Sequence, residues 1–303
     1  MRVLIVCSGN KGRISAFIKD QVDALNKKGV PTDYFLINGK GIKGYFSNYF
    51  RLKKLLSGGK YSLIHAHYGL SGLLAVLQRR IPVVVTFHGS DVNQRAVYKF
   101  SKLASQLSAY NIVVEESFVK KLDLKKKYAI LPCGVDFDTF TPLDKQTERK
   151  KLSYADDEII ILFSSSFSNK VKNYPLAKEA ADKIQHARMI ELDGYTRPEI
   201  NALMNAADLL LLTSFSEGSP QVIKEAMSCN LPIISTGVGD VPRILANTKG
   251  NFIVGYNIDE IITAANSITR SNQRSNGRDA ILGKYDNKHI ADELINIYQS
   301  IKK

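Results

Sequence analysis

Short apolar runs recur along this chain, each followed by a stretch long enough for a helix, and that alternation admits few architectures besides parallel sheets flanked by helices. In the first half the predicted strands are residues 2–7, 32–37, 63–66, 83–87 and 111–114, with 129–131 closing. In the second half they are 159–164, 189–192, 209–212 and 233–235, with a weak one near Phe252. The pattern breaks once, where Pro142 and the polar run 144–150 interrupt it, so a domain boundary is expected near residues 142–150. A length of 303 residues suits two domains and can bury a sizeable core in each. The last predicted helix, about 288–301, carries Ile290, Leu294, Ile297 and Ile301 at helical spacing.

One junction carries most of the chemistry. The run Asp208-Leu-Leu-Leu-Leu-Thr213 reads as a buried strand, and a loop from Ser214 leads to a helix for which Ser219 is the expected N-cap and Pro220 the first helical residue. The unpaired N–H groups of such a helix start, with those of Glu217, Gly218 and Ser219, form a concave donor surface suited to a diphosphate. Glu225 falls more than a turn into the helix, badly placed for phosphate and well placed to accept hydrogen bonds from sugar hydroxyls. Donors for phosphate beside acceptors for hydroxyls describe a nucleotide-sugar pocket.

Four segments, in order, then support a family resemblance over nearly the whole chain. The segment from Glu217 to Pro242, with its Glu-x7-Glu pair Glu217 and Glu225, resembles the nucleotide-binding signature of the retaining group 1 glycosyltransferases, family 4. The stretch Gly12-Arg-Ile-Ser-Ala-Phe17 and onward to Leu25 resembles that family's first loop and helix. Val84-Val-Thr-Phe-His88-Gly89-Ser-Asp91 resembles its active-site histidine segment, and Pro132-Cys-Gly134-Val-Asp136 with Phe140 and Pro142 its interdomain stretch.

The resemblance implies an α/β fold of the GT-B type, two Rossmann-like domains facing each other across a cleft. Residues 1–146 plus 288–303 would form the acceptor-side domain, with the last helix crossing back to it, and 147–287 the donor-binding domain. It implies a hexosyltransferase (EC 2.4) that moves a sugar from a nucleotide-diphosphate sugar to a glycan or lipid-linked acceptor, with retention, as in cell-surface polysaccharide or glycolipid synthesis. His88, Glu217 and Lys172 are the expected catalytic residues. Gly12, Lys170, Lys172, Glu217, Gly218, Ser219, Pro220, Gln221 and Glu225 are expected to bind the donor, and Asp91 and His67 to lie on the acceptor side. The family usually places Gly-Arg where this chain has Ser166-Phe167; Lys172 matches the lysine five residues after that arginine, and Lys170 is a candidate for the second charge.

No metal and no cofactor are expected. Asp136-Phe137-Asp138 has the letters of a metal-binding pair but lies within the interdomain motif, and His65 with His67 face one side of a strand end without an evident third ligand. Gly9 and Gly12 make only Gly-x-x-Gly, short of the dinucleotide fingerprint, which argues against NAD. Cys7, Cys133 and Cys229 are scattered and odd in number, which argues against a disulfide framework or zinc site. The start of the chain reads as a strand too short for a signal peptide, and no apolar run approaches the roughly 20 residues of a membrane span, so a cytoplasmic location is expected.

The net charge of +13 is uneven: residues 1–150 carry +14 and residues 151–303 carry −1. Within the basic half, residues 40–56 interleave Tyr45, Phe46, Tyr49 and Phe50 with Lys40, Lys43, Arg51, Lys53 and Lys54, and a second cluster runs from Lys120 to Lys127. Aromatics among cations suit an anionic membrane surface, approached peripherally on its inner face through residues 40–60, and a merely solubilising face is the plain alternative. Nucleic acid is not expected as a partner, because no recognised nucleic-acid motif accompanies the charge. Two rival functions share the scaffold: a nucleotide-sugar 2-epimerase or hydrolase, and a catalytically silent membrane-docking protein, which Phe167 would favour.

Overall fold

The computed structural model describes residues 1–10, 12, 14–39 and 41–301. They divide into two compact units, Met1–Gly134 with Asn287–Lys303, and Val135–Asp286.

The first unit holds strands β1 (Val3–Ser8), β2 (Thr32–Ile37), β3 (Leu63–His67), β4 (Val83–Phe87), β5 (Tyr110–Val113) and β6 (Tyr128–Ile130). They form one parallel sheet in the order β2-β1-β3-β4-β5-β6. Strands β1, β3 and β4 are covered on both faces, which is why their sequences are mostly apolar rather than alternating, with His65, His67 and Thr86 the buried polar exceptions. One face packs under helices Tyr49–Leu56 and Gly69–Val76; the other packs under Ala16–Lys27 and the final helix Asn287–Ile301. Ile290, Leu294, Ile297 and Tyr298 of that final helix join Val3, Ile5, Val22 and Leu25 in one cluster. At about 1.5–3 kcal/mol for each large apolar side chain buried, this face alone anchors the helix firmly.

The second unit holds β7 (Ile159–Phe163), β8 (Ala187–Glu191), β9 (Leu209–Leu212), β10 (Ile233–Thr236) and β11 (Asn251–Val254), parallel in the order β11-β10-β9-β7-β8. Central β9 is the unbroken leucine run, buried completely. Edge strand β8 is half-exposed, and it lies two residues upstream of its predicted start because its apolar content alone marks the edge poorly.

The division between the units falls after Gly134, upstream of the polar run at 144–150. Val135 pairs with Asp286 and donates its N–H to Tyr285 O at 2.7 Å, and Phe140 is fully buried beside Leu203 and Met204. Residues 135–141 therefore belong to the second core, and the polar stretch that follows forms that unit's own helix Lys145–Lys151, capped by Asp144.

In each sheet the chain reverses direction of travel across the sheet at one point, between β1 and β3 in the first unit and between β7 and β9 in the second. Loops leaving the carboxyl ends of strands diverge at such a point and open a crevice for a ligand.

Candidate functional site

In the second unit the switch point gathers two loops. After β7 the chain makes a 3-10 turn at Lys170–Lys172, opened by Asn169, whose side chain accepts from Val171 N. After β9 it runs through Thr213 to Glu217. Thr213 Oγ1 donates to Lys172 O at 2.8 Å and Phe215 N to Val171 O at 2.9 Å, so the two loops are tied by their main chains. The ends meet in an ion pair, Lys172 Nζ to Glu217 Oε1 at 2.7 Å, with side chains 14% and 15% exposed. Ser214 Oγ donates to the same carboxylate oxygen at 2.7 Å. Lys170 is exposed and stands outside this contact.

The helix after the loop is Gln221–Ser228. Its N-cap is Pro220, with φ −65° and ψ 122°, so the helix starts one residue later than expected and Ser219 does not cap it. Ser219 Oγ is instead shielded from solvent with no hydrogen-bond partner among the described residues, the kind of group that a ligand satisfies. Gly218 lies against Gly239: a side-chain carbon on Gly239, whose φ is +55°, would come within 2.2 Å of Gly218 O. Only glycine allows that approach, and Asp240 N donates to Gly218 O at 3.0 Å to hold it.

Glu225 is buried in the helix, and its carboxylate is paired with Arg197 of the helix Arg197–Ala206. Burial pushes the Glu225 carboxyl above its ordinary range, while Arg197 and Lys224 pull it down. Arg197 also lies 4.5 Å from the centre of the Phe140 ring. Sequence reasoning missed Arg197: it follows the Thr196 cap as the first residue of an ordinary helix, and no local signal distinguishes it from a surface arginine.

Phe167 packs against Tyr174, with ring centroids 4.2 Å apart, and against Phe163, while its N–H donates to Glu191 Oε2 at 2.7 Å. Its ring is half-buried in an aromatic cluster, and Lys172 is the cation that the structure brings to Glu217.

In the first unit the residues cluster at the ends of β3 and β4. His88 follows β4 directly, between Phe17 and Tyr68, with ring centroids 4.9 and 4.6 Å away. Tyr68 holds φ +71° and ψ 149°, a strained backbone for a bulky residue. Gly12, with φ +69° and open space where a side chain would begin, lies in the first loop; its neighbours Lys11 and Arg13 are outside the described residues. A cavity of about 320 Å³ is lined here by Ser8, Ser15, Tyr45, Tyr68, Ser90, Asp91 and Gln94, with Leu70 and Val97 as apolar wall.

One acceptor-side expectation is corrected. His67 has no exposed surface, so it cannot meet an acceptor; its ring stacks between His65 and His88. Asp91 is 5% exposed, and its oxygens accept from the main-chain N–H groups of His88, Gly89 and Gly69 at 2.9–3.0 Å. Burial pushes its carboxyl up to about 6 despite those donors. Asp91 thus braces the turn that carries His88, and it also lines the cavity beside Tyr68. Asp136 accepts from Asp138 N and Thr139 Oγ1 and shapes a turn of its own. Among the described residues no group of three or more His, Cys, Asp or Glu is placed to hold a metal ion.

Comparison with known proteins agrees with this layout. Residues 2–139 match the model of glycosyltransferase family 4 and residues 159–271 that of glycosyl transferases group 1. Over 213 residues the chain is 28% identical to TuaC of Bacillus subtilis, named provisionally as a teichuronic acid biosynthesis glycosyltransferase, covering 60% of this chain and 54% of that one. It is 22% identical to the D-inositol 3-phosphate glycosyltransferase of Mycobacterium marinum over 285 residues, 77% of this chain and 60% of the relative. The chain thus spans little more than half the length of these relatives. Among solved structures, the Anabaena protein HepE in complex with UDP and glucose superposes with a TM-score of 0.78 at 16% identity, over 99% of this chain and all of that one, a likeness of fold.

Proposed function

Since the chain belongs to the group 1 glycosyltransferases, family 4, we propose that it transfers a sugar from a nucleotide-diphosphate sugar to a hydroxyl of a glycan or lipid-linked acceptor, retaining anomeric configuration. The observation that carries this reading is the Lys172–Glu217 contact at the switch point, beside the close-packed Gly218–Gly239 main chains and the start of the helix Gln221–Ser228.

The helix start and the loop N–H groups receive the diphosphate, and Lys172 supplies a fixed cation for the charge that grows as the leaving group departs. Lys170, Gly218, Ser219, Pro220 and Gln221 complete the second unit's part of the donor site. Glu217 and Glu225 accept hydrogen bonds from sugar and ribose hydroxyls, with Arg197 keeping Glu225 ionised in its buried position. The bond between the anomeric carbon and the diphosphate oxygen breaks, the acceptor oxygen bonds to the same face of that carbon, and the acceptor proton passes to the departing phosphate. No metal is assigned a part in these steps. UDP is the nucleotide to try first, because HepE is described in complex with it. The cavity beside Tyr68, with Ser8, Ser15, Ser90, Asp91 and Gln94 in its wall, offers hydrogen-bonding residues to a hydroxyl-bearing acceptor. To test the reading, UDP-, GDP- and ADP-sugars are incubated with the protein and acceptors, and the product anomer is read by NMR. An inverted product rules out retention, and failure to bind UDP, GDP and ADP by calorimetry removes the enzyme reading.

We further propose that residues 41–60 dock the protein on an anionic membrane. Phe50 is 78% exposed on the helix Tyr49–Leu56, with Lys53 and Lys54 also exposed, beside a hollow of about 550 Å³ lined by Phe46, Tyr49, Phe50, Leu77 and Arg79. Lys40, which opens the segment, lies outside the described residues. Near an anionic surface each lysine contributes about 1 kcal/mol, so Lys53→Gln with Lys54→Gln should weaken binding to phosphatidylserine vesicles roughly 30-fold at low salt. Equal binding by wild type and double variant would refute docking by this segment.

A further inference from the structure

The ends of β3 and β4 bring three imidazoles into one stack. His65 and His67 rings lie 4.5 Å apart and His67 and His88 rings 5.3 Å apart, with interplanar angles of 27° and 20°. Polar contacts run along it. Tyr298 OH lies 2.6 Å from His65 Nδ1, Thr86 Oγ1 2.7 Å from His65 Nε2, His67 Nδ1 3.0 Å from His88 Nε2, and Cys133 Sγ 3.7 Å from His88 Nδ1.

His65 and His67 are wholly buried. Burial lowers His67 to about 3 and His65 well below its ordinary value, so at neutral pH each is a neutral imidazole with one N–H and one lone pair. The decisive atom is His67 Nε2, buried without a hydrogen-bond partner among the described residues. An orphaned buried N–H is rarer in folded proteins than an unfilled acceptor, so the proton of His67 belongs on Nδ1. In the 3.0 Å contact His67 is then the donor and His88 Nε2 the acceptor. The proton of a neutral His88 falls on Nδ1, directed toward Cys133 Sγ.

We propose that His67 is a positioning residue, whose Nδ1–H holds His88 as the Nδ1–H tautomer and fixes the orientation of its ring. The tautomer follows from this unit alone; its consequence for turnover rests on the glycosyltransferase reading. With its Nε2 lone pair occupied, His88 serves as an oriented neutral group and not as the base that takes the acceptor proton.

Long-range proton–nitrogen NMR on 15N-labelled protein reads the tautomer directly, and two variants separate positioning from packing. His67→Phe keeps a buried ring and removes the donor; His67→Asn returns an N–H donor near the Nδ1 position. The wild type and His67→Asn should show His88 protonated on Nδ1, and His67→Phe a mixture of tautomers. With release of UDP from UDP-glucose as the assay, His67→Phe should lose about tenfold in kcat with KM unchanged, the value of one hydrogen bond of about 1.4 kcal/mol, and His67→Asn should recover most of it. Protonation of wild-type His88 on Nε2 overturns the proposal, as does a His67→Phe variant with unaltered tautomer and kcat, or a His67→Asn variant no better than His67→Phe. If His67→Phe fails to fold, the wild-type and His67→Asn spectra still decide. Absence of turnover by the wild type would count against UDP-glucose as donor and leave the spectra to judge the tautomer.

Discussion

Lys172→Ala is expected to lower kcat by about 10²–10³-fold, the usual consequence of removing one preorganised group aimed at developing charge. Lys172 is held in place before any ligand arrives. Its main-chain carbonyl is pinned by Thr213, and its ammonium sits on Glu217, where solvent reaches only 14% of the side chain. Taking the cation away also leaves Glu217 as an uncompensated negative charge beside the diphosphate, so substrate binding should weaken as well. Lys172→Arg, which keeps the charge and changes its geometry, should fall between the two. Steady-state kinetics with each variant checks this, and a thermal melt shows whether folding is intact. A Lys172→Ala enzyme with wild-type kcat would remove this residue from the mechanism.

Arg197→Ala should be the most destabilising of the substitutions considered, by about 3–5 kcal/mol, because it leaves a buried carboxylate without its partner. Glu225 is 5% exposed, and burial already raises its carboxyl above the ordinary value of 4.5 while Arg197 opposes that rise. Without Arg197 the folded-state value climbs further. A carboxyl whose folded pKa exceeds its unfolded one favours the folded state when protonated, so the variant should be relatively most stable below about pH 4.5 and lose stability as pH rises through the raised value. Melting curves at several pH values check the sign. Adding Glu225→Gln should recover much of the loss at neutral pH, since the neutral amide needs no counter-charge. An Arg197→Ala protein as stable as wild type at pH 7, or one that becomes less stable relative to wild type on acidification, would contradict this account.

Much of the fold was legible in the chain itself. The buried strands wrote themselves as apolar runs, and β9, four consecutive leucines, could hardly be missed. The half-exposed edge strand β8 was displaced because an edge needs few apolar residues. The loop and helix start at Glu217–Gln221 were legible because a strand, a turn of small residues and a proline follow one another at fixed spacing, and the error of one residue at the cap came from treating Pro220 as helical when its ψ of 122° is extended. His67, expected on the acceptor side, is instead enclosed between two other imidazole rings. Sequence distance carries no information about whether a side chain faces solvent or another ring.

Local periodicity, turn chemistry and the order of the elements are written along the chain, because each depends on neighbours a few positions apart. Strand order is not, since it is decided by which pairings bury the most apolar surface once the whole chain has collapsed. That order brings the 170–172 turn to Glu217, Arg197 to Glu225 and His67 to His88, contacts between residues far apart in sequence. A polar residue acquires its role when burial removes water and leaves one partner in reach, and only the closed tertiary structure says which partner that is.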